Sequence, residues 1–331
     1  MPQENRTWRR LLPSPRQALC LLPLVAVAGW LVAHRSTLWT GARQALDADG
    51  PWLMAAAACT ALGFVAVSFA RQGTVRERLP PARLLVTQFA AGAANHLLPS
   101  GIGASAVNVR FLSRCGLPPA RYSAALALYF LAEGVSRIGL LLAVLLAFPN
   151  ALRMEELLPE RIGLSLVAAV AAAVAVVLLL TALAIRPARH AVARFLATAL
   201  TDVRALHARP ARALALWGGS LAFPALQAAG LVAVALSMGQ GGTSQASEAW
   251  GRLPVAHVVL AYLAATVVAA VVPSPGGLGS VDAALVVALV AVGAPVATAT
   301  ATVLAYRVIT VWLPLLPGAL VLGVLVRRGV L

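Results

Sequence analysis

The run Val271-Val272-Pro273-Ser274-Pro275-Gly276-Gly277-Leu278-Gly279-Ser280-Val281-Asp282 decides the reading of this chain. An apolar stretch that begins at Val255 ends in it, and a second one leaves it and continues to Val292. Proline removes a backbone donor and blocks helix propagation. Glycine opens backbone conformations closed to other residues. Pro273, Pro275, Gly276, Gly277 and Gly279 therefore break a helix in its middle. In an apolar chain such a break leaves backbone groups in need of partners at membrane depth. It is tolerated where it is packed in protein or lines a wet cavity, and transporters build substrate sites at breaks of this kind.

The surrounding sequence is that of a membrane protein. Of 331 residues, 60% are hydrophobic and 11% charged, and the mean hydropathy is +0.86. A soluble domain of this length is neither so apolar nor so poor in charge. The net charge of +15 does not mark a nucleic-acid binder, because the arginines lie between apolar spans rather than along one soluble face. All 26 basic residues are arginine. With no lysine there is no Gly-Lys-Ser/Thr phosphate loop, so no ATPase is encoded here. Cys20, Cys59 and Cys115 lack pairing or metal spacing and read as free thiols acting as small hydrophobes. No metal-ligand cluster, nucleophile–His–acid set or dinucleotide fingerprint is present, so neither enzyme chemistry nor a cofactor is expected.

Working outward, a basic tail over residues 1–17 carries Arg6, Arg9, Arg10 and Arg16. Apolar spans are predicted at about 18–33, 52–70, 122–148, 162–185, 213–238 and 296–326. The first runs on past Ala26-Val27-Ala28, which resembles a signal-peptidase site. Residues 84–98 are apolar but too short for a span of about 20 residues. They end in a second break, Asn95-His96-Leu97-Leu98-Pro99-Ser100-Gly101-Ile102-Gly103. Between Arg186 and Arg212, Val192, Phe195, Leu196, Ala199, Val203 and Leu206 recur at helical spacing, as in a helix lying on the membrane surface. Pro224 is expected to kink its span, and residues 239–254 read as a loop rich in Gly, Ser and Thr.

The arginines orient the chain. With the N-terminal tail inside, and with 84–115 and 255–293 each entering and leaving on one side, 19 arginines fall inside and five outside. Arg71 to Arg83 form one of the inside loops in this count. The expected architecture is all-α: six full spans, two broken or re-entrant helical hairpins, and both termini cytoplasmic. It divides into the tail 1–17, a transmembrane domain 18–326 and a short tail 327–331.

The two breaks resemble each other. Pro99-Ser100-Gly101-Ile102-Gly103 parallels Pro273-Ser274-Pro275-Gly276-Gly277. Gly116-Leu117-Pro118-Pro119-Ala120 aligns with Gly293-Ala294-Pro295-Val296-Ala297, and a tyrosine follows each glycine by 13 residues, at Tyr129 and Tyr306. Units 84–148 and 255–326 thus read as a repeat. By the arginine count they enter from opposite sides, the inverted arrangement of many secondary transporters.

Four charges sit at membrane depth or its edge: Glu133, Arg137, Asp282 and Arg307. Charge there is costly and faces a partner or a wet cavity. Glu133 and Arg137, four apart, share a helix face and can pair. They are either a structural ion pair or, with Arg307, a grip on a lipid phosphate. Asp282 lies near the start of a half-helix. It either caps that helix against the dipole or serves proton coupling or a cationic headgroup. Asn95 and His96 precede the first break and, with Tyr306, complete the candidate transport path; His96 is read as a hydrogen-bonded structural residue or as a proton carrier. The glycine-rich turns could present backbone N–H groups to phosphate.

With Pro273 to Asp282, Gly293-Ala294-Pro295, and Ala305-Tyr306-Arg307 before Trp312-Leu313-Pro314, the chain resembles the flippase-like family, the transmembrane region of lysylphosphatidylglycerol synthases. Asn95, Leu98-Pro99, Gly103, Arg110, Arg114-Cys115-Gly116, Glu133 and Arg137 carry the resemblance in the first half, and it covers about residues 15 to 326. Family members usually have Glu where this chain has Asp282. In full-length synthases such a region is implicated in moving aminoacylated phospholipid to the outer leaflet, while a cytosolic transferase domain makes that lipid. No such domain is read before Leu331. The resemblance therefore implies translocation of a phospholipid or polyprenyl-linked lipid across a bacterial inner membrane, and not aminoacyl transfer. Two alternatives stand beside it: a non-transporting membrane partner of a lipid-modifying enzyme or glycosyltransferase, and an ion-coupled small-solute transporter.

Overall fold

The computed structural model describes residues 49–97, 103–148, 209–241, 244–270 and 279–327. Among these residues helices are the regular secondary structure, joined by short turns. The expected spans at 18–33 and 162–185 and most of the surface helix within 186–212 lie outside the described residues. So do both termini and, at the two breaks, Pro99, Gly101, Pro273, Pro275, Gly276 and Gly277.

Among the described residues four helices are long and apolar enough to cross a bilayer, and each matches an expected span: α1 (Gly50–Gly73), α4 (Pro119–Ala147), α5 (Pro210–Gly241) and a last rod from Val296 to Leu325. That rod is α9 (Val296–Arg307), a π segment at Val308–Trp312 and α10 (Leu313–Arg327). Pro314, just past the π segment, has no N–H to offer the carbonyl of Thr310, so the regular ladder cannot continue there. Between the long helices lie two helical hairpins, α2 (Pro81–Leu97) with α3 (Gly103–Arg114), and α7 (Val255–Ala269) with α8 (Ser280–Ala291). Each of their helices is shorter than a span requires.

Small residues let the helices approach. Ala56, Thr60, Gly63, Ala66 and Ala70 recur every three to four residues on α1 and are buried, forming a stripe that faces α5. A Cβ at Gly219 of α5 would stand 2.5 Å from the Ala66 carbonyl oxygen, so the two backbones touch. Small-residue stripes of this kind drive association where lipid removes the usual hydrophobic force. α5 is the hub, packed by α1, α4, α6, α7 and α9. Its Leu216, Leu231, Val234 and Met238 join Leu263, Leu285 and Leu289 among the most buried side chains. Pro224 lies inside α5, which continues through it. By contrast Leu131, Val135, Ile138, Leu142 and Leu146 form an exposed apolar stripe along α4, and Leu313, Leu316, Leu320 and Val324 another on α10. An apolar face left open on a span is a face for lipid.

Two sequence expectations need correction. Residues 239–254 are not a loop: α5 runs to Gly241, and α6 (Ser244–Arg252) follows, with Glu248 and Arg252 paired at 3.3 Å. Trp250 is buried against α5 near Gly239, and this packing outweighs the weak local helix preference of Gly, Ser and Thr. Arg71 does not open a solvated basic loop. α1 continues to Gly73, and Arg71 is 7% exposed.

The two hairpin units share a local structure. After α3, Cys115 N–H donates to Phe111 O (3.0 Å), Gly116 N–H to Ser113 O (3.0 Å) and Leu117 N–H to Leu112 O (3.2 Å). After α8, Val292 N–H donates to Ala288 O (3.2 Å), Gly293 N–H to Val290 O (2.9 Å) and Ala294 N–H to Leu289 O (3.0 Å). Gly116 and Gly293 have φ of +84° and +107°, a left-handed terminus suited to glycine. Pro118 and Pro295 then start α4 and α9 from extended backbone. α3 and α8 are both 12 residues long.

Candidate functional site

A cavity of about 300 Å³ lies where the first hairpin meets α1, α4 and α5. Its polar lining is Arg71 from α1, Gln88 and Asn95 from α2, Ser105 and Asn108 from α3, and Glu133 from α4. Its aromatic lining is Phe64, Tyr129, Phe130 and Phe223. The volume is at the lower end for a ligand pocket and suits a headgroup-sized group rather than a whole lipid.

The fold fixes this lining. Gly103 opens α3 against α2, where a Cβ would stand 2.1 Å from the Ala94 carbonyl oxygen, so the hairpin closes on bare backbone. Gln88 and Asn108, both nearly inaccessible, stitch it: Gln88 Nε2 donates to Asn108 Oδ1 at 3.1 Å, and Asn108 Nδ2 to Ala104 O at 2.8 Å. α10 packs along α2, with Val321, Leu322 and Leu325 against Ala90, Ala91 and Ala94, and this brings the end of the chain to the first hairpin.

Arg71 is held by the turn that follows it. Thr74 donates to the Arg71 carbonyl through its hydroxyl (2.7 Å) and its amide (3.2 Å). Arg212 of α5 donates to Gln72 O (2.7 Å) and Arg76 O (3.1 Å), and Gln72 Oε1 accepts from Leu79 N–H (2.9 Å). The guanidinium carbon lies 3.6 Å from the centre of the Tyr129 ring, a cation–π contact. Nε and Nη1 are buried without a hydrogen-bond partner.

The charges singled out in the sequence form two pairs. Arg137 Nη2 donates to Glu133 Oε1 at 2.9 Å on α4, with both side chains about four-fifths buried. Arg307 Nε donates to Asp282 Oδ1, joining α9 to α8. Asp282 also acts at its own helix terminus, where Oδ2 accepts from the Gly279 N–H at 2.9 Å. Capping and ion pairing thus coexist in one carboxylate. Tyr306 is buried and donates to Gln227 Oε1 of α5 at 2.8 Å, and its ring meets Tyr262 of α7 edge-on at 6.3 Å. His96 is half-buried, with Nδ1 lacking a hydrogen-bond partner, and lies within electrostatic reach of Arg307 and Asp282. The C-terminal end of α2 thus approaches the charge pair of the second hairpin.

Of the seven side chains proposed from sequence, the cavity collects Asn95 and Glu133. Arg137 is attached to it through Glu133, while Asp282, Arg307, Tyr306 and His96 lie elsewhere. Sequence reasoning missed Arg71, Gln88, Asn108 and Gln227. Gln88 and Asn108 were detectable as amides within short apolar segments. Arg71 carried a weaker signal, its place four and seven residues after Val67 and Phe64 on one helix face.

A comparison with curated proteins finds no match to this chain. A family model, described as the lysylphosphatidylglycerol synthase TM region, matches residues 18–318. That match spans both hairpins, both charge pairs and every residue lining the cavity, and the chain belongs to this family of integral membrane regions.

Proposed function

We propose that the protein translocates a phospholipid or polyprenyl-linked lipid headgroup across a bacterial inner membrane, with both termini cytoplasmic and without catalysing a reaction of its own. The observation that carries this reading is the cavity: polar groups that include Arg71 and Glu133 line one volume with aromatic side chains, among helices with exposed apolar stripes. A headgroup crossing hydrocarbon needs polar partners throughout, while its acyl chains need none. The shared turn at Gly116 and Gly293 supports a duplicated architecture, and with the arginine count the copies would be inverted, the hairpins forming the two ends of the path. Glu133, Arg137, Asp282 and Arg307 would balance charge along it.

The test is leaflet sidedness of a fluorescent phospholipid in proteoliposomes, with and without a proton gradient. Protein-dependent flipping is expected. Gradient dependence lost in Glu133→Gln would make Glu133 the coupling group. No flipping of any phospholipid or polyprenyl phosphate would sink the transport reading in favour of a membrane partner for a lipid-modifying enzyme or glycosyltransferase.

A further inference from the structure

We infer that Arg71 is the phosphate-binding residue of the cavity, and that the group it takes is a phosphate ester. This deepens the lipid-translocation reading and rests on it for the source of the phosphate. Arg137 and Arg307, the arginines that sequence reasoning favoured for this role, are each committed to a carboxylate. Arg71 lines the cavity, is 7% exposed, and leaves Nε and Nη1 without acceptors. Among the described residues no carboxylate forms an ion pair with it. Glu133 shares the cavity but already accepts from Arg137.

A buried guanidinium whose nearest carboxylate, Glu133, is bonded to another arginine is unfavourable, and a long side chain near the end of a span would ordinarily extend to water. Arg71 does not. Tyr129 covers one face of the guanidinium, and the backbone beneath it is fixed by Thr74 and Arg212. The arrangement holds a buried positive charge beside the volume of the cavity. An arginine fork matches phosphate oxygens, and stacking on an aromatic ring leaves its in-plane N–H groups free to donate. Asn95 and Ser105 on the opposite hairpin supply further polar groups to the same volume.

The experiment is equilibrium binding to the full chain in detergent, read by calorimetry. Three probes are used: a short-chain phosphatidylglycerol, the diacylglycerol with the same chains, and inorganic phosphate. Saturable binding of the phospholipid but not of the diacylglycerol is expected, with at least about tenfold loss in Arg71→Gln, the loss of a charge-assisted hydrogen bond. Arg71→Lys keeps the charge without the fork and should bind more weakly than the native chain and more tightly than Arg71→Gln. If Arg71→Gln is not recovered as folded protein, weakened binding in Arg71→Lys supports the assignment and native-like binding overturns it. Inorganic phosphate that competes with similar affinity would make free phosphate the source; phosphate that fails to compete would make it the headgroup. Equal affinity for phospholipid and diacylglycerol, or a folded Arg71→Gln that binds like the native chain, overturns the inference. Because this readout does not require flipping, binding without flipping removes the transport reading alone. Flipping with binding indifferent to Arg71 removes this assignment alone.

Discussion

At Gly116 and again at Gly293 the chain makes one turn, bond for bond, yet the two units treat their buried arginines differently. In the second unit Arg307 is held by Asp282, which also receives the Gly279 amide, and Tyr306 is tied to Gln227. The arginine of this unit thus has a carboxylate of its own. In the first unit Glu133 is paired with Arg137, but Arg71 enters from the neighbouring helix with Nε and Nη1 lacking acceptors and lines a cavity. A repeated turn thus stands beside one arginine held by a carboxylate and one that no carboxylate pairs among the described residues. Buried polar groups in folded proteins are ordinarily paired. An acceptor brought to Nε and Nη1 of Arg71 would therefore be strongly favoured.

The comparison can be broken at its strongest point first. Gly103→Val pushes a side chain into the Ala94 carbonyl, 2.1 Å from the Cβ position, and should prevent the first hairpin from closing. The expected result is loss of monodisperse protein on size-exclusion chromatography. Asp282→Ala comes next, since it removes both the partner of Arg307 and the acceptor for Gly279. Breaking a fully buried pair costs about 3–5 kcal/mol, but the Asp282 side chain is 32% exposed. A loss of roughly 2–3 kcal/mol in thermal unfolding is expected after allowing for that solvation.

The twin turns give a sharper test. Gly116→Ala and Gly293→Ala each place a Cβ at positive φ, where about 1–2 kcal/mol is lost per residue. The two losses should agree within about 0.5 kcal/mol if the turns are equivalent. A large inequality would break the structural parallel. The smallest effect belongs to Tyr306→Phe, which deletes the donor to Gln227 Oε1 in a buried setting and should cost about 1 kcal/mol.

Much of this was legible in the sequence, for identifiable reasons. Apolar length gave α1, α4, α5 and the last rod, because hydrocarbon thickness sets span length. Gly116-Leu117-Pro118 and Gly293-Ala294-Pro295 announced matching turns, because a left-handed glycine followed by proline has few other uses. The four-residue spacing of Glu133 and Arg137 announced their contact. The Asp282–Arg307 pair was not legible, since it joins residues 25 apart on different helices. Nor was the role of Arg71: an arginine at the end of an apolar run reads as an interface anchor, and only the packing of α5 and Tyr129 around it makes it a buried charge. Helix α6 was hidden because Trp250 finds its partner in another helix.

The most direct test of the account is dithionite-accessible leaflet exchange of a fluorescent phosphatidylglycerol in proteoliposomes, comparing the native chain with Ser105→Trp and Arg121→Gln. Ser105→Trp fills the cavity from α3, whereas Arg121 sits in an exposed pair with Glu77 far out on the surface. The account predicts protein-dependent exchange in the native chain and in Arg121→Gln, and exchange at the protein-free background in Ser105→Trp. Native-level exchange in a folded Ser105→Trp would contradict it, because the headgroup would then be crossing somewhere other than the cavity.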